Sequence, residues 1–180
     1  MNYKKNWFKF VIGWTAVFAF RLIPFRLPNV EPVLAVAMPF AKQYKYLSAF
    51  CFGFLSIALF DVAVGKVGMW TWITAATYGL VAAGAYPFLK NRAPSPLNFA
   101  AYGMIGTLIY DAITGVAMGP VLFGQPFMEA LVGQIPFTLW HLGGTLVFSL
   151  VISPVFYRWV VLNRQLEGQA ILKLFSFGKA

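Results

Sequence analysis

Acidic residues are scarce in this chain: its 180 residues hold five Asp and Glu against fourteen Lys and Arg. Charge of either sign is scarce, at 11% of residues, where a soluble domain carries about 25%. That shortage excludes an ordinary water-solvated surface. Cys51 is the only cysteine, which excludes an intrachain disulfide, a CxxC redox pair and a zinc site. His141 is the only histidine, and neither a GxSxG elbow nor a Gly-rich phosphate loop with its lysine is present. We therefore expect no enzyme: no catalytic residues, no metal, and no cofactor held by this chain. Alternating segments of about ten residues are missing too, which excludes a β-barrel.

What remains is apolar. The chain is 60% hydrophobic and 18% aromatic, with a mean hydropathy of +0.72. A hydrocarbon core of about 30 Å takes roughly 20 helical residues, and breakers and charges divide the chain into six segments over 7–23, 31–46, 47–65, 68–89, 97–119 and 130–161. The expected fold is therefore all-α, a polytopic membrane protein of six transmembrane helices. The second segment is short and contains Pro32 and Pro39, so a kinked or tilted helix is expected there. Its boundary with the third rests only on "KQYKYLS". The N-terminal "KK" before an apolar run loosely resembles a signal peptide. That run ends in "RLIPFRLP" without a small-residue cleavage site, so it reads as a retained first helix.

Charge sets the expected orientation. With the N-terminus cytoplasmic, eleven of the fourteen basic residues fall on that side, leaving Arg21, Arg26 and Lys66 outside. The positive-inside rule then gives both termini in the cytoplasm and a multi-pass protein of the cell membrane. The net charge of +9 reads as basic cytoplasmic loops against the bilayer rather than as nucleic-acid binding. Residues 1–162 form the transmembrane domain and 163–180 a cytoplasmic tail. The tail reads either as a surface amphipathic helix with Ile171, Leu172, Leu174 and Phe175 toward lipid, or as a frayed end.

Two of the five acids sit in matching frames, "FGFLSIALFDVAVG" and "YGMIGTLIYDAITG". The pairs are Phe52/Tyr102, Gly53/Gly103, Phe60/Tyr110, Asp61/Asp111 and Gly65/Gly115. They suggest a parallel repeat of helices 3–4 and 5–6, a feature of transporter folds, with chance similarity in a Gly-rich apolar chain as the competitor. Sixteen residues separate Lys45 from Asp61 and nineteen separate Arg92 from Asp111, which puts both carboxylates about 24–28 Å from the basic loops. A carboxylate there should face the bundle or a watery pocket. We read Asp61, with Arg21 and Arg26, as helix-end groups. Asp111 reads as a pocket group because Thr114, Gln125, Glu129 and Gln134 follow it.

The outer connections are unlike ordinary short loops. "RLIPFRLPNVEP" carries two arginines, three prolines, Asn29 and Glu31, a stiff extended cover. "GKVGMWTW" places Trp70 and Trp72 at the interface, as belt anchors or as site walls. "GPVLFGQPFMEALVGQIP" mixes Gly, Pro and aromatics with Gln125, Glu129 and Gln134, and is expected to dip back toward the bundle. His141 lies inside the sixth segment, where an ionisable residue is a functional candidate by default and a carbonyl-bonded histidine otherwise. Ala75, Gly79 and Ala83 form a small-residue ladder on the fourth segment, and Gly13, Ala16 and Ala19 a similar one on the first.

Six helices with both ends inside, a Pro-rich first outer loop with "PNVEPV", and "D-x3-G" endings on the third and fifth segments resemble the substrate-binding S components of energy-coupling factor (ECF) transporters, the vitamin-uptake ABC systems. The resemblance covers nearly the whole chain in topology and length. It implies a vitamin or related micronutrient bound at the outer face, near Asn29, Glu31, Trp70, Asp111, Gln125, Glu129 and His141. It also implies docking through Gly13, Ala16 and Ala19 onto a transmembrane T subunit driven by two ATPases, which would use the ATP. Family members often show two alanines four apart on that helix, whereas this stripe has three-residue spacing. The alternatives are a ligand-free structural or scaffold protein, and a small ion-coupled carrier using Asp61, Asp111 and His141.

Overall fold

A computed structural model describes residues 3–25, 27, 29–168 and 170–172. Among these the structure is helical, without a strand. Helix α1 spans Tyr3–Arg21, α2 Val33–Ala63, α3 Met69–Leu89 and α4 Pro96–Asp111. A π-helical segment, Ala112–Ala117, joins α4 to α5 (Met118–Phe123). Helix α6 spans Phe127–Phe156 and runs into a second π-helical segment, Tyr157–Val161.

Local chemistry explains the ends. At α4, Pro96 follows Ser95, whose side chain accepts the Asn98 N–H at 3.2 Å, a side-chain cap before a residue pre-set for helix. Gly65 at φ 68° and Gly124 at φ 64° supply the left-handed conformation that closes α2 and α5. Lys42 reaches the far end of α3 and donates to the carbonyls of Leu89 (2.7 Å), Lys90 (3.1 Å) and Arg92 (2.7 Å). A cation is thereby placed on the orphan acceptors and negative pole of that helix.

Helix α2 is not straight. Lys45 has φ 68° and ψ −173°, a non-helical residue that divides α2 into arms over 33–44 and 46–63. The break falls inside "KQYKYLS". Pro39, by contrast, lies buried within the first arm. The Lys45 conformation is one that essentially only glycine adopts without strain. Lys45 is exposed, so Lys45→Gly is expected to stabilise the protein by about 1 kcal/mol. A thermal unfolding midpoint that falls instead would show that the lysine side chain holds the bend.

The distribution of polarity is inverted relative to a water-soluble bundle. Hydroxyl groups are buried at Ser48, Ser56, Thr71, Thr77, Thr107, Thr145, Ser149 and Ser153, while Leu80, Leu97, Val147, Val151 and Trp159 are more than half exposed. Thr107 and Thr145 bond each other at 2.9 Å between α4 and α6, and Ser153 Oγ donates to the Ala35 carbonyl at 2.7 Å. Polar groups joining helices inside, with large apolar side chains outside, suit a hydrocarbon solvent. Among the described residues, three helices are long and apolar enough to cross a membrane: Val33–Ala63, Pro96–Phe123 (counted through the π-helical segment) and Phe127–Val161. The chain has the make-up of a membrane protein in contact with lipid.

The first arm of α2 is the centre of the bundle, buried at every residue from 33 to 41. Phe40 stacks on Phe10 at 4.3 Å and lies 4.9 Å from Phe52 between ring centroids, which ties α1 to both arms of α2. The second arm of α2 pairs with α3, and α4 pairs with α6. In both pairs the frame glycine takes the close approach. A Cβ on Gly53 would meet the Tyr78 carbonyl oxygen at 2.7 Å, and one on Gly103 would meet Ser149 Oγ at 2.6 Å.

Two placements differ from the sequence reading. The connection after the fifth segment does not dip back: the chain stays helical to Phe123, turns over 124–126 and starts α6 at Phe127. The π-helical segment, where the Met118 N–H bonds the Ile113 carbonyl five residues back, carries the helix past Gly115. Gly13 does not share an outward stripe with Ala16 and Ala19: it is buried against Phe52 and Phe40, and the other two are exposed. On a helix, residues 13 and 16 differ by about 300° and residue 19 by a further 300°, so the three fan out instead of stacking. Of the tail, Ile171 and Leu172 are helical, whereas Leu174 and Phe175 lie outside the described residues.

Candidate binding site

The helix directions bring one set of ends together. Helix α1 ends at Arg21, α2 ends just after Asp61, α3 begins just before Trp70, α4 ends at Asp111 and α6 begins at Phe127. Asn29 and Glu31 arrive from the Pro-rich connection above them. Asn29 is left-handed at φ 60°, a conformation that Asn tolerates better than most residues. It turns the chain just before Glu31 points inward. Arg26 lies outside the described residues.

These groups form a chain of polar contacts. Asp61 Oδ2 accepts from Thr71 Oγ1 at 2.7 Å, and its Oδ1 lies 4.0 Å from Arg21 Nη2. Arg21 Nε lies 3.6 Å from Glu31 Oε2, and the guanidinium sits over the Phe60 ring at 4.3 Å. The Tyr78 hydroxyl donates to Glu31 Oε1 at 2.6 Å and lies 3.5 Å from His141 Nε2. His141 Nδ1 is 2.9 Å from Asp111 Oδ1. Tyr78 has a single proton, and Glu31 receives it. Against a carboxylate, Nδ1 must carry its own proton, so only a doubly protonated His141 can also donate to Tyr78.

The cluster is acidic and incompletely satisfied. One guanidinium serves two carboxylates, Glu31 and Asp61, and Asp111 has His141 alone. Arg21 Nε and Nη1 and Asp111 Oδ2 are buried without a hydrogen-bond partner. Leaving such groups unpaired costs roughly 1–3 kcal/mol each, more for charged ones. Buried orphans in a native protein call for an explanation. Besides these three atoms, Ser149 Oγ is the remaining orphan among the described residues.

Two adjoining clefts open beside the orphans. One of about 190 Å³ is lined by Arg21, Asn29, Glu31, Ile57, Asp61, Thr74, Tyr78 and Tyr110. The other, about 260 Å³, is lined by Asn29, Trp70, Thr74, Tyr110, Asp111, Thr114, Gly115, Gln134 and Phe137. They share Asn29, Thr74 and Tyr110, so they form two chambers of one site. Larger clefts occur at the opposite end, around Lys9 and Tyr44, and on the apolar face of Trp7 and Trp14. Neither of those is lined by an orphaned atom.

Of the residues proposed from sequence, Asn29, Glu31, Trp70, Asp111 and His141 meet at this site, together with Arg21 and Asp61. No family model, curated protein or solved structure matches the chain. The site therefore stands on its own geometry. Gln125 and Glu129 lie apart from it: Gln125 Nε2 bonds Glu129 Oε1 at 3.3 Å in the first turn of α6. Glu129 is exposed there, where a carboxylate favours the helix N-terminus. The residues the sequence did not single out are Thr71, Thr74, Tyr78, Tyr110 and Phe137. Tyr110 carried a signal, since its frame partner is Phe60 and only the second frame gains a hydroxyl. Tyr78 carried none, being one aromatic among many in "TAATYGLVAAG".

Proposed function

We propose that this chain is the small-molecule-binding subunit of an ECF-type importer for a vitamin or related micronutrient. It would have six spans in the cell membrane, both termini inside and the two chambers facing out. The observation that carries the reading is the set of buried, unpartnered ionic atoms, Asp111 Oδ2 and Arg21 Nε and Nη1, beside concave, aromatic-walled clefts. Small-molecule sites are such clefts with a few convergent polar groups. The Pro-rich connection over Asn29 and Glu31 would close on bound ligand. Energy would come from outside the chain, from ATPases acting through a T subunit.

Mild-detergent affinity purification from the native membrane, with mass spectrometry of the eluate, tests this directly. A T subunit and ABC ATPases are expected at near-stoichiometric levels. A chain that purifies alone, or only with itself, overturns the importer reading. The titratable series Asp111–His141–Tyr78–Glu31 favours a second reading, a small ion-coupled carrier. That carrier would give ligand flux in liposomes with no partner present.

A further inference from the structure

We propose that the Asp111 chamber selects a compact organic cation, an ammonium or another charged N–H group on a ring or short alkyl body. The inference rests on the small-molecule reading above and narrows it to one class of ligand. Its anchor is Asp111 Oδ2. Asp111 is 3% exposed, its Oδ1 is engaged by His141 at 2.9 Å, and its Oδ2 is without a partner; the residue lines this chamber and also an apolar cleft of about 250 Å³ walled by Leu108, Leu131 and Ile135. A carboxylate oxygen only accepts hydrogen bonds, so the missing partner is a donor.

Three donor groups of the remaining wall are already engaged. The Thr114 hydroxyl donates to the Tyr110 carbonyl at 2.9 Å, the Thr74 hydroxyl to the Trp70 carbonyl at 2.7 Å, and Gln134 Nε2 to Thr138 Oγ1 at 3.3 Å. These donors are spent inside the protein, whereas Asn29, Trp70 and Tyr110 keep groups that can meet the polar edge of a ligand. An anionic ligand would still have to approach the Asp111 carboxylate.

Charge balance points the same way. If His141 is neutral, Asp111 is an uncompensated anion, and Arg21 faces both Glu31 and Asp61, leaving these five groups two negative charges in excess. If His141 is protonated, the excess is one. In either state a cation relieves charge in a medium of low dielectric, where an unmatched ion is costly. Trp70, Tyr110 and Phe137 supply π faces of the kind that bind ammonium groups. The chamber of about 260 Å³ suits a body of one ring. Arg21 lines only the other chamber, flanked by its own carboxylates, and so does not repel a cation at Asp111.

Three probes of similar shape separate the classes: 2-phenylethylamine, 2-phenylethanol and 3-phenylpropionate. Binding to the full-length protein in zwitterionic nanodiscs would be read by tryptophan fluorescence and by the shift in thermal unfolding midpoint. The amine is expected to bind saturably, and the alcohol and the carboxylate at least ten-fold more weakly. Asp111→Asn should erase that preference. Trp70→Ala, on a residue 41% exposed, should weaken the amine several-fold, and Glu129→Gln should leave it unchanged. Equal binding of the three probes, or a preference for the carboxylate, overturns the cation inference while a small-molecule site survives. No saturable binding by any probe also overturns it. The partner purification then decides the importer reading independently.

Discussion

Arg21→Met is expected to destabilise the protein by about 3–5 kcal/mol, the usual cost of removing one partner from a buried ion pair. The guanidinium is 12% exposed and stands between Glu31, 11% exposed, and Asp61, 19% exposed. Its removal leaves two anions at this end of the bundle with, among the described residues, the Tyr78 and Thr71 hydroxyls as partners. Methionine keeps the length and the contact with Phe60, so the change isolates charge. Arg21→Lys should recover part of the loss, because lysine keeps the charge and forfeits the planar fork that spans two carboxylates and stacks on a ring. The triple variant Arg21→Met, Glu31→Gln, Asp61→Asn should recover most of it. Unfolding midpoints of the four proteins in nanodiscs decide the matter. A loss below about 1 kcal/mol for Arg21→Met, or a triple variant no better than the single, would show that Arg21 is not the countercharge.

The second large effect is at Gly53, where alanine is expected to cost roughly 2 kcal/mol by overpacking. The obstacle to the new methyl group is backbone: the Tyr78 carbonyl oxygen at 2.7 Å and its carbon at 3.0 Å. Backbone cannot rotate aside as a side chain can, so α3 must move away from the second arm of α2. Tyr78 is also the residue whose hydroxyl holds Glu31 at 2.6 Å. A shift of α3 therefore loosens the site as well as the core, and Gly53→Ala should weaken ligand or probe binding at a distance. Gly143→Ala is the control, since a methyl group there meets nothing within 4 Å. It should be neutral, or stabilising by up to about 1 kcal/mol through helix propensity. The two substitutions are thus expected to have opposite signs. Equal midpoints would rule out the close approach at Gly53.

The sequence-chosen residues that the structure brings together were chosen through scarcity. Asp111 and His141 could be picked out because an ionisable group in an apolar run is costly and seldom accidental, and they lie 2.9 Å apart. Glu31 and Asn29 were legible from the proline spacing that stiffens the chain around them. Glu129 shows the limit of that logic. It is as scarce as Asp111, yet it lies at an exposed helix start where a carboxylate is inexpensive. Rarity marks a residue as expensive only once its depth is known. Gly13, Ala16 and Ala19 show the same limit for small residues, which read as one stripe in sequence and point different ways on the helix.

Composition alone determined that this is a helical protein of a lipid environment, because no water-soluble surface can be made from 11% charged residues spaced by long apolar runs. It also marked the break inside "KQYKYLS", where the non-helical Lys45 lies, but Pro39, Pro87, Pro136 and Pro154 all lie inside helices. Which groups share a site was decided only by tertiary structure. Asp61 and Asp111 occupy matching frames, yet Asp61 takes Thr71 and Arg21 as partners, and Asp111 takes His141 and keeps one oxygen bare. The frames are alike over the glycine and the carboxylate. Past them, Gly65 ends its helix in a left-handed turn, whereas Gly115 lies in a π-helical segment that runs on to Phe123. Hydrogen-bond partners of a buried side chain come from other helices, thirty residues away in the case of His141. Local sequence carries no record of that distance.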